Sequence, residues 1–173
     1  GELPHVEFAC VVSSRPDAYA LTRAKNAGVP AFVSERKNRI QEEFEAQILQ
    51  ILRDNGIQLI ILAGFMSILS PAFVQRYPRR IVNVHPALLP AFGGKGYYGL
   101  RVHEAALSRG VKVTGATVHY VNEIADGGEI ILQKAVAVEV GDTPETLQRR
   151  VMEQAEWLLL PQAAEIAAQE ILQ

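Results

Sequence analysis

Ile81-Val82-Asn83-Val84-His85-Pro86 decides how this chain folds and where its chemistry lies. Residues 81–85 form a β-branched run of the kind that fills a buried strand, and side chains two apart on a strand share one face. Asn83 and His85 therefore project together. Pro86 has no N–H to give a central ladder, so the pair stands at the strand's exit, where open α/β sheets hold their ligand crevices. Further along, Ala125-Asp126-Gly127-Gly128 sets a carboxylate on a turn before the next β-rich run. An amide donor, a titratable imidazole and a carboxylate that can orient it suit acyl-type chemistry. The amide and a protonated imidazole can stabilise the oxyanion formed when a carbonyl is attacked. The imidazole and carboxylate can also move protons.

Around this strand, short β-rich runs alternate with segments of helical periodicity, the pattern of βα units about a largely parallel sheet. Strands are expected at residues 6–13, 31–33, 59–63, 80–85, 112–121 and 129–138. The first helix is expected over residues 17–27, with Gly28 as its stop. Ile40, Phe44, Ile48, Ile51 and Leu52 make one apolar stripe on a second helix that closes at Gly56. Ser70-Pro71 reads as an N-cap followed by proline at the first helical position, opening a short helix to about Tyr77. A further helix over residues 102–108 ends at Gly110. Thr143-Pro144 opens the last one, which carries Leu147, Val151, Leu158 and Leu159, and Pro161 is expected to kink or divide it. The fold class is α/β, with a mostly parallel central sheet flanked by helices.

Two connections beside Asn83 and His85 are candidates for function. Residues 87–99 contain Gly93-Gly94-Lys95-Gly96, which lacks the spacing of a nucleotide P-loop and has no Ser or Thr after the lysine, so it reads as a flexible lid. Residues 122–128 form a shorter, acidic loop. With 173 residues, 49% of them hydrophobic, the chain can bury the core of one domain. A formal net charge of −2 gives no global attraction to nucleic acid or to an anionic membrane, so an anionic substrate needs a local site. No run is long enough to span a bilayer, and Gly1-Glu2-Leu3-Pro4-His5 lacks a signal peptide's basic and apolar parts, so the expected location is cytoplasmic. Cys10, the only cysteine, lies in an apolar run and reads as buried core. His85, His103, His119 and Asp126 are too irregularly spaced to suggest a metal centre, and none is expected. His119 reads as a hydrogen-bonding support for the site.

Four stretches carry a resemblance: Leu62-Ala63-Gly64-Phe65-Met66-Ser67-Ile68-Leu69-Ser70-Pro71, Val82-Asn83-Val84-His85-Pro86-Ala87-Leu88-Leu89-Pro90, Gly115-Ala116-Thr117-Val118-His119-Tyr120-Val121 and Asp126-Gly127-Gly128-Glu129-Ile130-Ile131-Leu132-Gln133. In this order they make the chain resemble the phosphoribosylglycinamide formyltransferases, and the likeness runs through nearly its whole length. The resemblance implies a Rossmann-like formyltransferase fold. It also implies transfer of a formyl group from the co-substrate 10-formyltetrahydrofolate to the amine of glycinamide ribonucleotide in purine synthesis. Asn83, His85 and Asp126 match the family's catalytic trio. Met66, Ile68, Leu69 and Val74, with Asn122, Glu123, Ile124 and Ala125, match its folate side. Gly64, Val84, Pro86 and Glu156 match its nucleotide side, Glu156 being the glutamate that holds the ribose hydroxyls.

The resemblance also has departures. One residue is gained between Val151 and Glu156, Trp157 stands where a histidine is usual, and Ser67 stands where many members carry arginine. The family normally opens with a strand and a Gly/Ser/Asn-rich loop that seats the substrate phosphate at a helix N-terminus. Here the chain starts at what looks like the second strand, so the expectation is a single formyltransferase catalytic domain over residues 1–173, truncated at its N-terminus. The implied partners are the two small molecules alone, with the protein a monomer or homodimer. The expected reaction is direct attack of the amine on the formyl carbon, the oxyanion met by Asn83 and protonated His85, with Asp126 favouring the imidazolium. Hydrolysis of 10-formyltetrahydrofolate and folate binding without catalysis are the alternatives.

Overall fold

The computed structural model describes residues 3–173, which divide into two compact units. The smaller, Val6–Gln58, holds β1 (Val11–Ser13), α1 (Tyr19–Asn26), β2 (Ala31–Val33) and α2 (Gln41–Asp54). β1 and β2 pair in parallel, Val11 opposite Ala31 and Ser13 opposite Val33. Phe44, Ile48 and Leu52 are the buried members of the α2 stripe. The strand expected over residues 6–13 is shorter than its apolar run. Among the described residues its only partner strand is three residues long, so residues 6–10 have no ladder there to join, and Phe8 is left 66% exposed. Cys10, expected in the core, is half-buried with a free thiol that burial pushes upward in pKa.

The larger unit is built on Leu59–Gln173 and contains β3 (Ile60–Leu62), α3 (Pro71–Val74), β4 (Ile81–His85), α4 (Leu100–Arg109), β5 (Val113–Tyr120), β6 (Ile130–Ala137), α5 (Pro144–Val151) and α6 (Trp157–Leu172). Its four strands lie in the order β3-β4-β5-β6. β3 runs parallel to β4, while β5 runs antiparallel to both β4 and β6. β4 is thus hydrogen-bonded along both edges, and its β-branched Ile81 and Val82 are completely buried. It ends at His85, immediately before Pro86, as the missing N–H requires. The helix ends follow the local chemistry. The Ser70 hydroxyl accepts from the Phe73 N–H at 3.2 Å, tight turns carry α3 on to Tyr77, and Thr143 with Thr146 forms a capping box at α5.

The core of this unit packs Val82, Ala116, Val118 and Tyr120 of the sheet with Leu147, Val151, Ala155, Leu159, Ala163 and Ala167 of the last helices. Those helical positions recur every fourth residue. On a continuous α-helix such a stripe drifts by roughly 40° per step. A π turn over Met152–Glu156, between α5 and α6, holds an extra residue and takes up part of that drift. The break expected at Pro161 therefore falls earlier. Pro161 itself lies inside α6, where its missing N–H removes one bond to the Trp157 carbonyl just after the widened turn. No helix among the described residues is long and apolar enough to cross a membrane.

Candidate active site

The exit of β4 carries the polar side chains. Because β5 runs antiparallel beside it, Asn83 stands opposite His119 and His85 opposite Thr117, so four polar groups share one local face of the ladder. Three of them are almost fully buried: His85 and His119, at 4% and 2% exposure, and Thr117. Asn83 Nδ2 lies 3.2 Å from His119 Nε2. The loop of residues 122–128 brings in Asp126, whose Oδ2 is 3.5 Å from His85 Nδ1 and whose Oδ1 is 3.6 Å from His119 Nε2. Asp126 adopts φ +54°, a left-handed conformation that Asp and Asn tolerate better than most residues. Asn83, His85, Asp126 and the supporting His119 are therefore brought together from three segments.

Residues 87–99 supply two backbone groups that sequence patterns do not show. His85 Nε2 donates to the Phe92 carbonyl at 2.7 Å, and the Gly94 N–H donates to Asp126 Oδ2 at 2.8 Å. The base of this connection is fixed by buried polar contacts. Thr117 Oγ1 accepts from the Leu89 N–H at 3.0 Å and donates to the Ala87 carbonyl at 2.7 Å, while Gln133 Nε2 reaches the Leu89 carbonyl at 3.0 Å. Thr117 and Gln133 lie inside the motif stretches, but only the register of β4, β5 and β6 gives them this work.

These contacts set the charges. Burial lowers the His85 pKa below 6.5, outweighing the nearby Asp126 charge and the Phe92 carbonyl, both of which raise it. The imidazole is consequently neutral at pH 7. Its one proton is committed to Phe92, and Nδ1 presents a lone pair toward Asp126. Burial works to raise the Asp126 pKa, but the neighbouring His119 ring, the Gly94 N–H donated to Oδ2 and the His85 ring hold the carboxyl below its ordinary value. Asp126 is an anion. His103, on α4, is pushed down to about 4 by burial and secondarily by His85, so it stays neutral, and neither ring nitrogen has a partner among the described residues. No cluster of three or more His, Cys, Asp or Glu among the described residues is arranged to hold a metal ion.

The Asp126 loop closes tightly at its base. A Cβ on Gly128 would lie 1.7 Å from the Tyr120 carbonyl oxygen, the same oxygen that accepts from His119 Nδ1 at 2.9 Å. Gly128→Ala should therefore force the two sides of the loop apart, costing about 2 kcal/mol, or roughly 4–8 °C in Tm. Turnover should fall with it, because both His119 and Asp126 are disturbed. Thermal unfolding and initial rates of the variant check this, and an unchanged Tm would show that the loop base is not closed in this way.

A sequence profile described as "Formyl transferase" matches residues 2–163. The chain belongs to the formyl transferase family. It is similar to the chloroplastic phosphoribosylglycinamide formyltransferase of Arabidopsis thaliana, with 37% identity over 95% of this chain and 57% of that protein. It is also similar to the phosphoribosylglycinamide formyltransferase of Haemophilus influenzae, with 42% identity over 89% of this chain and 70% of that one. Among solved structures, glycinamide ribonucleotide transformylase 1 from Symbiobacterium toebii superposes with a TM-score of 0.86 at 41% identity, covering 94% of this chain and 74% of that one. The chain thus spans little more than half the length of its Arabidopsis relative. The α/β class, with parallel-rich sheets flanked by helices, agrees with the formyl transferase fold.

The residues expected from the resemblance to line the folate and nucleotide sides are spread over several elements. Leu69 and Val74 are buried, whereas Met66 and Ile68 are each 61% exposed and Ile124 is 68% exposed. Asn122, Glu123, Ile124 and Ala125 lie along the Asp126 loop at or near its surface. Asn122 spends its side chain on the loop's own turn, accepting from the Ile124 N–H at 2.9 Å and donating to the Gly127 carbonyl at 3.2 Å. Glu123 accepts from Gln75 Nε2 at 2.7 Å, tying the loop to the end of α3. Gly64 follows β3, whose Leu62 pairs in parallel with Asn83, so Gly64 leaves the sheet at the same edge as Val84, His85 and Pro86. Glu156 closes the π turn, half-buried, with its carboxyl pushed up to about 7 by burial alone. No direct contact joins Glu156 to the trio among the described residues.

Proposed function

We propose that this chain transfers a formyl group from 10-formyltetrahydrofolate to the amine of glycinamide ribonucleotide, with residues 1–173 acting as one formyltransferase catalytic domain. The convergence of Asn83, His85 and Asp126 carries the reading. Family membership and the names of the relatives support it. On the folate side, Met66, Ile68 and Ile124 leave apolar surface of the sort that a flat ligand covers, beside the buried Leu69 and Val74. On the nucleotide side, Gly64, Val84, Pro86 and Glu156 are the candidates.

Neutral His85 and ionised Asp126 face each other as two acceptors, and the space between them favours a group that donates. The amine nitrogen becomes such a group as it attacks the formyl carbon and gains positive charge. The Asn83 amide N–H then meets the oxyanion formed on that carbon. His85 Nδ1 takes the proton from the new C–N bond's nitrogen, and Asp126 steadies the imidazolium. His85 returns the proton to the departing folate nitrogen as the old C–N bond breaks. The imidazolium expected from the sequence thus arises during turnover instead of standing ready. No bond to the protein is made.

The test follows both products. Formylated nucleotide should accumulate one for one with loss of 10-formyltetrahydrofolate. Free formate as the main product would make the chain a hydrolase, and folate binding without turnover would make it a binding domain. Asp126→Asn is a sharper probe, because Asn also tolerates the left-handed backbone and keeps the loop's shape. Losing the anion should lower the His85 pKa further, moving the acid limb of kcat/KM to lower pH while kcat falls by about 10²-fold. An unmoved profile with normal kcat would remove Asp126 from proton handling.

A further inference from the structure

We propose that His119 is a positioning residue that fixes which end of the Asn83 amide faces the reacting carbonyl. The inference rests on the reading that Asn83 meets the oxyanion. Its first step is the tautomer of His119. Nδ1 lies 2.9 Å from the Tyr120 carbonyl oxygen, which can only accept, so the ring proton sits on Nδ1. In the neutral ring Nε2 is then a bare acceptor. The nearest partner is the Asn83 amide, with Nδ2 at 3.2 Å, whereas Asp126 Oδ1 stands at 3.6 Å, beyond hydrogen-bond range.

An acceptor at Nε2 calls for a donor, so the amide must turn its NH2 group toward His119. One N–H is given to the ring, and the second remains on the same end of the amide. Without this partner, an Asn side chain can present oxygen or nitrogen with little to choose between them. An oxygen turned toward a developing oxyanion would repel it. The Tyr120 carbonyl therefore acts on the reaction through two side chains in series, from backbone to His119 and from His119 to Asn83. The groups around Nε2 are Asn83 on β4, Asp126 on the 122–128 loop and, more distantly, His85.

Two measurements on the full chain test this. Nitrogen-15 spectra of the unmodified protein at pH 7.5 should show His119 as the Nδ1–H tautomer, with Nε2 carrying the signature of a hydrogen-bonded acceptor. A Nε2–H tautomer or a doubly protonated ring would overturn the proposal before any residue is changed. The second measurement is a double-mutant cycle on kcat. His119→Ala should reduce kcat about 10–100-fold, with the KM values for both substrates changed less than threefold. In an Asn83→Ala background the same change should cost less than threefold, since the group it orients is gone. A full, additive loss in that background would overturn His119 as a positioning residue while leaving Asn83 in its role. If Asn83→Ala alone retained normal kcat, the functional reading itself would fail, which is a separate outcome. His119→Gln guards against collapse of the buried site, and its folded fraction is measured alongside its rates. Its amide oxygen can accept from the Asn83 N–H, so folded His119→Gln should regain most of the kcat lost in His119→Ala with the Asn83 side-chain nitrogen-15 signal at its acceptor-bound shift, and a normal kcat with that shift lost would overturn the proposal.

Discussion

Asn83→Ala and His85→Ala should each lower kcat by about 10²–10³-fold, the usual cost of removing one donor from a developing oxyanion or its proton carrier. The two losses have different origins. Asn83 supplies a fixed N–H, so its removal should lower kcat with little change in the pH profile. His85 supplies a lone pair at Nδ1, so its removal should also flatten the acid limb that lies below pH 6.5. Combined, the two substitutions should cost little more than the worse of them, because groups that act on one transition state are strongly non-additive. Neither change should unfold the protein. The β4 ladder is backbone to backbone, and what His85→Ala leaves behind is an unmet Phe92 carbonyl at about 1–3 kcal/mol. Rates on glycinamide ribonucleotide and 10-formyltetrahydrofolate, with circular dichroism as the fold control, check both variants. Near-normal turnover by folded His85→Ala would remove it from the mechanism.

The parts of this site that could be read from the sequence are those set by short-range periodicity. Asn83 and His85 are two residues apart on a β-branched run, and Pro86 marks where that run must leave the sheet, so their shared face follows from local geometry alone. Asp126 was legible only through the family's motif order, because nothing local says where a turn 41 residues past His85 will come to rest. The pairing of Asn83 with His119 depends on the antiparallel register of β4 with β5, a tertiary fact. Phe92 and Gly94 act through a carbonyl and an N–H, which every residue but proline offers, so no sequence pattern marks them. The last helix shows the same limit. A gained residue between Val151 and Glu156 and a four-residue apolar spacing were both visible, yet Pro161 looked like the natural break. Packing against the sheet decided otherwise, placing a π turn at Met152–Glu156.

That π turn ends on Glu156, where the second large effect is expected. Burial alone lifts the carboxyl from 4.5 to about 7. The unfolded chain loses this proton near 4.5 and the folded chain only near 7, so between those values the folded state holds the extra proton and stability falls as pH rises. Above pH 7 the folded protein keeps a half-buried charge at a cost of about 3 kcal/mol, since each tenfold tightening of proton affinity on folding corresponds to about 1.4 kcal/mol. Glu156→Gln should therefore stabilise the protein by about 2–3 kcal/mol at pH 8, roughly 4–12 °C in Tm, and the gain should fade toward zero below pH 5. A residue that weakens its own fold at working pH invites a functional account, and the ribose hydroxyls assigned to Glu156 by family likeness provide one. Two hydroxyl donors would replace the lost water and favour the ionised form. The same substitution should accordingly raise the KM for glycinamide ribonucleotide by about tenfold, the loss of a charge-assisted hydrogen bond, and leave the KM for 10-formyltetrahydrofolate alone. Unfolding scans at pH 5 and pH 8, with both KM values, separate the two effects. An equal Tm change at the two pH values would show that no buried charge is involved, and an unchanged nucleotide KM would move the ribose contact to another residue.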